Sequence, residues 1–431
     1  MRTLDAFLND QRVGALSEGE DLWRFEYDAN WIKTPNAFDL SPRLARSDLV
    51  HADGGTDRPV QWYFDNLLPE EEQREAVAKE AKINGEDAFG LLEYLGAESA
   101  GSLVLLPPGA ASQPRGLEPL GDADLSARIR NLPRASLSSG APKRMSVAGA
   151  QSKLLVVYRE GALYEPVGSE PSTHILKPNH THGDYPSSVI NEYTTMRLAA
   201  ALKLPVPAVS RRYVPEPVYL VERFDRFTDA VGVTQRRHII DACQLLNRSR
   251  GFKYTGATLE SLGHIIAACR NRVSTRLRLY HWVIFNVMIA NSDNHLKNLS
   301  FMVGSEGIEL SPAYDLLSTG TYHTKAFAGA RADWPAVKLS IEMPNAPTLA
   351  TVSRKSLLEA GEALGLPKAI SERELNRMMA ALPGALEDLI EEVSNENARL
   401  PQATKRFLAG EIRLLDTLRH VVVPETLERL R

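Results

Sequence analysis

Apolar and polar positions alternate in short runs over the first half of the chain and recur at helical spacing over most of the second. Up to about Pro107, strand-like runs mix with two helical ones. "RTLDAFLNDQRVGAL" reads as a hairpin turning at "NDQ". "EEEQREAVAKEAKI" predicts an acidic amphipathic helix, its start marked by Pro69 and by carboxylates in the first turn. "DAFGLLEYLG" predicts a shorter helix stopped by Gly96. Between Leu106 and Asp122, "LPPGAASQPRGLEPLGD" breaks both periods and predicts a linker or crossover.

From about Met145 the strand pattern returns. "KLLVVY", the turn "REG" and "ALYEPV" form a second hairpin, followed by the strand "THILKP". "SSVINEYTTMRLAAALKL" is a helix ending before "PVP", and "AVSRRYV" and "VYLVERF" complete a sheet of about five strands. After Phe227 the segments are largely helical, among them "ATLESLGHIIAACR", "TRLRLYHWVIFNVMIA" and "ERELNRMMAALPGALEDLIEEVS". A sheet-rich half joined by one strand to a helical half is an α+β organisation, and that join invites a cleft.

Composition changes this picture little. The chain has 431 residues, enough for more than one core, and its 43% apolar and 24% charged content is that of an ordinary soluble protein. A net charge of −4 does not mark an autonomous nucleic-acid binder. The first residues lack the apolar core of a signal peptide and no run is long enough to span a bilayer, so a cytoplasmic protein is expected. Cys243 and Cys269 lack paired spacing and read as buried, reduced thiols. His180 and His182 sit two apart in "NHTHGDY" with no third ligand nearby, which fits a polar loop better than a metal site. His264 is expected to be a packed core histidine, and the Trp282, Phe285 and Met288 stripe is core packing.

The polar stretch "NSDNHLKNLSFMV" directly follows the apolar "YHWVIFNVMIA". Five positions separate Asp293 from Asn298, which is not a same-face helical spacing, so the two converge only in an irregular loop. Next come "LSFMV", the turn "GSEG" and "IELSPAYD", a hairpin that folds Asp315 back to the level of Asn298. Two oxygen ligands and a further carboxylate suit magnesium-dependent phosphoryl transfer. Asp-x4-Asn with an Asp beyond a hairpin is also the spacing of protein-kinase catalytic loops. Upstream, Lys177 ends a strand as a phosphate-contacting lysine would, and Glu192 on the following helix is a candidate partner for it. "SVAGAQSK" is a small-residue loop whose N–H groups and Lys153 could approach phosphates. In "VERFDR", backbone groups of Glu222 to Phe224 could meet an adenine edge.

"SVAGAQSK", "HILKP", "NEYTTMRLAAALKLPVP", "YLVERFDR", "DACQLL", "NSDNHLKNLSF" and "LSPAYDLLS" occur in the order found in HipA-type serine/threonine kinases, which the chain resembles. "NDQRVGAL" and "WYFDNLLPEEE" resemble that family's N-terminal subdomain, so the likeness spans nearly the whole chain. It implies a protein-kinase-like two-lobed fold: a HipA-type N-terminal subdomain over 1–107, a linker over 108–144, a sheet-rich N-lobe over 145–227 and an all-helical C-lobe over 228–431. Carried over by position, Asp293 is the catalytic base, and Asn298 and Asp315 hold Mg2+. ATP falls to Lys177, to the phosphate loop Ala148, Gly149, Ala150, Gln151, Ser152 and Lys153, and to the hinge Glu222, Arg223 and Phe224. His295, Leu296, Lys297, Asn298, Tyr314 and Asp315 also line the nucleotide site. Ser146 matches the serine that such kinases autophosphorylate, an event associated with ejection of the phosphate loop; a dianion there would repel ATP phosphates. An ordinary loop serine remains an open alternative at that position.

The resemblance further implies a protein substrate such as an aminoacyl-tRNA synthetase, growth arrest and persistence. The implied partner is a HipB-like helix-turn-helix antitoxin, with operator DNA bound mainly through it. The chain departs from ordinary protein kinases in lacking a G-x-G-x-x-G loop and a His-Arg pair before Asp293, and in having Leu-Leu after Asp315. Two other readings stand beside this one: an ATP-binding corepressor without significant kinase activity, and a kinase with a small-molecule acceptor.

Overall fold

The computed structural model describes residues 1–99, 101–110, 113–145, 149 and 151–431. The chain divides into two compact units. The first comprises Met1–Lys177, Val221–Phe252 and Ser300–Ser311; the second comprises Pro178–Leu220, Lys253–Leu299 and Pro312–Arg431. Among the described residues, no helix is long and apolar enough to cross a membrane.

Unit 1 opens with strands β1 (Arg2–Leu8), β2 (Gln11–Gly19), β3 (Leu22–Tyr27), β4 (Val50–Ala52) and β5 (Val104–Leu106). They form an antiparallel sheet in the order β4-β3-β2-β1-β5. The expected first hairpin turns at Asn9 and Asp10, both at positive φ (48° and 66°), the backbone a tight two-residue connection requires. Alternation along β3 buries Trp23, Phe25 and Tyr27 on one face. That face packs on helices Pro59–Asp65 and Ala88–Leu95 through Phe25–Phe64 and Trp23–Phe89 ring contacts, with centroids 5.7 and 5.3 Å apart. The acidic helix runs Glu71–Ala81, and Ala88–Leu95 is capped by Asp87 and ends at Gly96.

The same unit holds β6 (Gly116–Pro119), β7 (Leu154–Arg159), β8 (Ala162–Val167) and β9 (His174–Pro178), paired antiparallel in the order β9-β7-β8-β6. Strand β6 lies in the stretch expected to be a linker, 108–144, which also carries the helix Asp122–Arg130. Its Pro and Gly residues punctuate real elements: Pro119 ends a strand on the sheet edge, where a missing N–H costs least.

One carboxylate ties this unit together. Glu98 is fully buried and meets Lys143 Nζ at 2.9 Å, Arg226 Nη2 at 2.8 Å and Arg236 Nη2 at 2.5 Å, and it accepts from Ser172 Oγ at 3.0 Å. Arg223 stands 3.8 Å away and is itself forked onto Asp225 at 2.7 and 3.0 Å. Burial alone would push the Glu98 pKa up, but Arg236, Lys143, Arg226 and Arg223 outweigh it and hold the carboxyl well below its ordinary value.

In unit 2, helix Ser188–Ala201 packs beside strand Val209–Tyr213; the strand Pro217–Glu222 that follows passes from unit 2 into unit 1 after Leu220. The remaining helices include Leu259–Ala268, Arg272–Met288, Arg354–Ala363, Lys368–Ala398 and Lys405–Thr417. The stretch expected to be all helical after 228 also carries short antiparallel pieces. Ile239–Asp241 pairs with the hairpin Ser300–Gly304/Gly307–Leu310 in unit 1, and Lys338–Met343 pairs with Ala346–Thr348 in unit 2. Runs of three to six residues such as "IID" and "KLSIEM" are too short for periodicity to separate from helix ends. His264 is exposed, contrary to expectation: Leu262, Ile265 and Ile266 take the buried face of their helix and leave it on the other side.

Glu98→Gln keeps the shape of the central carboxylate and removes its charge, which Lys143 and Arg236 lose outright while Arg223 and Arg226 keep Asp225. The expected cost is about 3–5 kcal/mol, as for other broken buried ion pairs, read as a lower denaturant midpoint. An unchanged midpoint would show that the network does not hold the unit.

Candidate functional site

The last turns of helix Arg272–Met288 are apolar and buried from Leu279 onward except at His281 and Asn286. The helix stops in a double backbone clasp: Ala290 N–H donates to Val287 C=O at 3.0 Å and Asn291 N–H to Asn286 C=O at 2.7 Å. Ala290 takes the left-handed conformation (φ 55°) that such an ending needs. The Asn286 side chain, fully buried, donates to Trp282 C=O at 2.8 Å and accepts from the Asn291 amide at 2.7 Å. Asn291 in turn accepts the Asp293 N–H at 3.0 Å. The polar loop is therefore mounted on the end of a buried helix, as the change from "YHWVIFNVMIA" to "NSDNHLKN" predicts.

Further bonds fix the loop. Ser292 N–H donates to Thr319 Oγ1 at 2.7 Å, and Ser340 Oγ donates to Ser292 C=O at 2.5 Å. Asn298 Nδ2 donates to Asp293 C=O at 2.9 Å, closing the five-residue separation into one turn, with Leu296–Asn298 as a short 3₁₀ segment. Tyr314 O–H donates to Lys297 C=O at 2.7 Å, bringing the chain back to the loop after the hairpin. His295, Lys297 and Asn298 are buried, whereas Asp293 keeps an exposed side chain. The groups packed around Asp293 still desolvate it and raise its pKa, outweighing His295, the Tyr254 hydrogen bond and Lys253, while the nearby Asp315 carboxylate adds to the rise.

Asp315 is also in the left-handed region (φ 57°). Burial drives the phenol of Tyr219 far above its ordinary pKa, and the Glu192 and Asp315 carboxylates add to that, which places all three in one neighbourhood. Glu192 is buried, so it is no surface residue of its helix. Unit 2 thus brings together Asp293, His295, Leu296, Lys297, Asn298, Tyr314, Asp315 and Glu192.

The other expected positions belong to unit 1. Ser146, Ala148 and Ala150 lie outside the described residues. Gly149 bridges Pro69, its carbonyl 3.4 Å from the Glu70 N–H, and Gln73 Nε2 donates to Ser152 Oγ at 3.1 Å. Gly149 has φ 103°, a backbone conformation that favours glycine, and the Lys153 side chain packs over it. Gln151 and Lys153 line a recess with Gln73, Ser136 and Ser138. Lys177 is buried on β9. Among Glu222, Arg223 and Phe224, the middle residue is committed to structure: its N–H donates to Thr173 C=O at 2.9 Å and its guanidinium joins the Glu98 network.

Two residues beside the loop escaped the sequence reading. Tyr254 O–H donates to Asp293 Oδ1 at 2.7 Å, and Lys253 C=O accepts the Leu296 N–H at 3.1 Å. "GFKYTG" has no periodicity and no familiar spacing to either partner, so nothing local marks it.

For a metal, Asn298 and Asp315 offer one amide oxygen and one carboxylate. Because the Asn298 nitrogen is engaged with Asp293 C=O, its side-chain oxygen is the atom left to coordinate. Among the described residues there is no group of three or more His, Cys, Asp or Glu side chains suited to a metal. This sparse, all-oxygen set fits magnesium, which fills its shell with water and substrate phosphates, and suits no zinc-type centre.

Comparison with known proteins bears on the whole chain. The family model described as HipA N-terminal domain matches residues 4–106, and HipA-like C-terminal domain matches residues 145–386. The serine/threonine-protein kinase toxin HipA of Shewanella oneidensis is 30% identical over 410 residues, 90% of this chain and 89% of that protein. Y4mE of Sinorhizobium fredii is 35% identical over 339 residues, 75% of this chain and 78% of that protein. A solved structure of the Shewanella oneidensis MR-1 toxin–antitoxin system, HipA with HipB and operator DNA, matches with TM-score 0.78 and 27% identity over 99% of each chain. The expected α+β, protein-kinase-like fold with a HipA N-terminal subdomain is borne out.

Asn286→Leu removes the buried partner of Asn291 without opening a cavity. It should lower stability by about 1–3 kcal/mol, the cost of an unsatisfied buried amide, measured by thermal denaturation. A variant as stable as the parent would show that the clasp does not depend on this amide pair.

Proposed function

Since the chain belongs to the HipA family and is a serine/threonine kinase of that family, we propose that it transfers the γ-phosphate of ATP to a protein serine with Asp293 as the base. The observation that carries this reading is the exposed Asp293 carboxylate on a loop whose backbone is hydrogen-bonded at Asn291, Ser292, Asp293, His295, Leu296, Lys297 and Asn298. In the transfer, the acceptor hydroxyl gives its proton to Asp293 as its oxygen bonds to the γ-phosphorus. The bridging oxygen between the β- and γ-phosphates leaves with ADP. A base whose pKa is raised toward the working pH accepts that proton more readily.

Asn298 and Asp315 would hold magnesium, which offsets charge on the phosphates. Lys177 and the loop 148–153 are assigned to the ATP phosphates, with Glu192 supporting the lysine. Because the Arg223 N–H and side chain are engaged elsewhere, the adenine edge is assigned to the backbone of Glu222 and Phe224. His295 to Asn298 and Tyr314 line the same nucleotide. Ser146 is the proposed autophosphorylation site, self-inactivating through its added charge.

The proposed partner is a HipB-like antitoxin, with operator DNA contacted mainly through it. The solved relative in complex with HipB and operator DNA supports this, and the net charge of −4 agrees with indirect DNA binding. The acceptor class proposed from the family is a translation protein such as an aminoacyl-tRNA synthetase, phosphorylated in the cytoplasm with growth arrest and persistence as the outcome.

Asp293→Gln should reduce phosphate transfer from radiolabelled ATP by roughly 10²–10⁴-fold and abolish growth arrest on expression. Phosphoproteomics comparing the two proteins in cells would identify the acceptor as the serine labelled only by the parent. A variant that still labels protein and still arrests growth would refute the assignment of the base.

A further inference from the structure

The backbone of Asp293 is fixed from three sides, yet the work assigned to it is done by its side chain. Backbone clamps leave χ1 and χ2 of an aspartate free to rotate, and a base must point at its proton to be useful. The donor to its carboxylate is the phenol of Tyr254, 2.7 Å from Oδ1. That phenol is not a passing neighbour, because Tyr254 is itself held in place. The Lys253 carbonyl accepts the Leu296 N–H at 3.1 Å, anchoring the segment to the loop beyond Asp293. The Tyr254 ring stands edge-on to His295 with centroids 4.9 Å apart and an interplanar angle of 82°. Lys253 Nζ lies 5.1 Å from the same ring centroid, and the Tyr254 carbonyl accepts the Ala257 N–H at 2.9 Å ahead of the helix Leu259–Ala268.

We propose that Tyr254 is a positioning residue for phosphoryl transfer, its hydroxyl holding one oxygen of Asp293 so that the other faces the acceptor hydroxyl. A carboxylate has two oxygens, each with room for a hydrogen bond. Engaging Oδ1 with a fixed donor sets the plane of the carboxylate and assigns Oδ2 to the incoming proton. Tyr254 is 44% exposed, so the contact lies on the open side of the base, where an acceptor must arrive. The inference rests on the kinase reading and on Asp293 as its base.

Tyr254→Phe removes one oxygen and keeps the ring against His295. The measurement is phosphate incorporated into the protein itself from radiolabelled ATP with magnesium, for the parent, Tyr254→Phe and Asp293→Asn, together with ATP affinity and melting temperature. A lost orienting bond should lower the rate by roughly 10- to 100-fold in Tyr254→Phe, with KM for ATP and melting temperature unchanged. A rate equal to or above the parent's overturns the proposal. So does a fall that comes with weakened ATP binding or a lower melting temperature, because the tyrosine would then be structural. If Asp293→Asn is inactive while Tyr254→Phe is fully active, only this inference fails. If the parent neither incorporates phosphate nor turns over ATP, or Asp293→Asn matches its labelling, the kinase reading itself fails.

Discussion

The first unit depends on one buried carboxylate. Glu98 comes from the N-terminal region, Lys143 from the segment between β6 and β7, and Arg223, Arg226 and Arg236 from the stretch following the strand Pro217–Glu222. Four cations around one anion would repel one another without it, and the anion would be prohibitively costly to bury without them. Asp225 supplies the second negative charge, forked by Arg223 and 2.7 Å from Arg226. The network explains why residues more than a hundred positions apart form one compact unit. It also settles which groups of the 222–226 segment serve structure: the side chains of Arg223 and Arg226 are committed to the network.

The second unit solves a different problem: exposing a charged side chain on a backbone held by many hydrogen bonds. The helix ending at Met288 is too apolar to leave its site, and its clasp at Asn286 and Asn291 passes that rigidity to Asp293. Thr319 and Ser340 hold Ser292 from two further segments. Each bond alone is worth about 1 kcal/mol net; together they leave the loop little alternative geometry. Rigidity of the backbone and exposure of the carboxylate are therefore obtained from separate residues.

Much of this was legible in the sequence because it rests on local rules. The hairpin at Asn9–Asp10 follows from turn residues that tolerate positive φ, and the one at Glu160–Gly161 from the glycine between two apolar runs. The buried helix before Asp293, and the hairpin Ser300–Gly304/Gly307–Leu310 that returns the chain to Tyr314 and Asp315, follow from an apolar run and a Gly-bounded turn. What sequence could not show is contact between distant segments. Glu98 looks like any acidic residue after a helix, and its four partners lie 45 to 138 positions away in the chain. Tyr254 lies 39 positions from Asp293 in a segment with no period. Short strands such as Gly116–Pro119 are hidden by prolines that act as edge devices rather than as breaks.

Asp315 shows how a strained residue is retained. The left-handed region is disfavoured for L-residues, though less for aspartate than for most, and "AYDLLS" has no glycine there. The strain persists because the chain is held on both sides. Before it, Ala313 N–H donates to Pro205 C=O at 2.8 Å and Tyr314 bonds Lys297 C=O. After it, the buried Asn191 amide both accepts the Ser318 N–H at 2.8 Å and donates to Ser318 C=O at 3.1 Å. Asn191 is the neighbour of Glu192 on the helix Ser188–Ala201, so one turn of that helix both tethers the strained segment and supplies a carboxylate to its surroundings. A relaxed backbone at 315 would turn the carboxylate elsewhere. Hydrogen bonds on either side hold that backbone in place, which suits the metal-holding role proposed for Asp315.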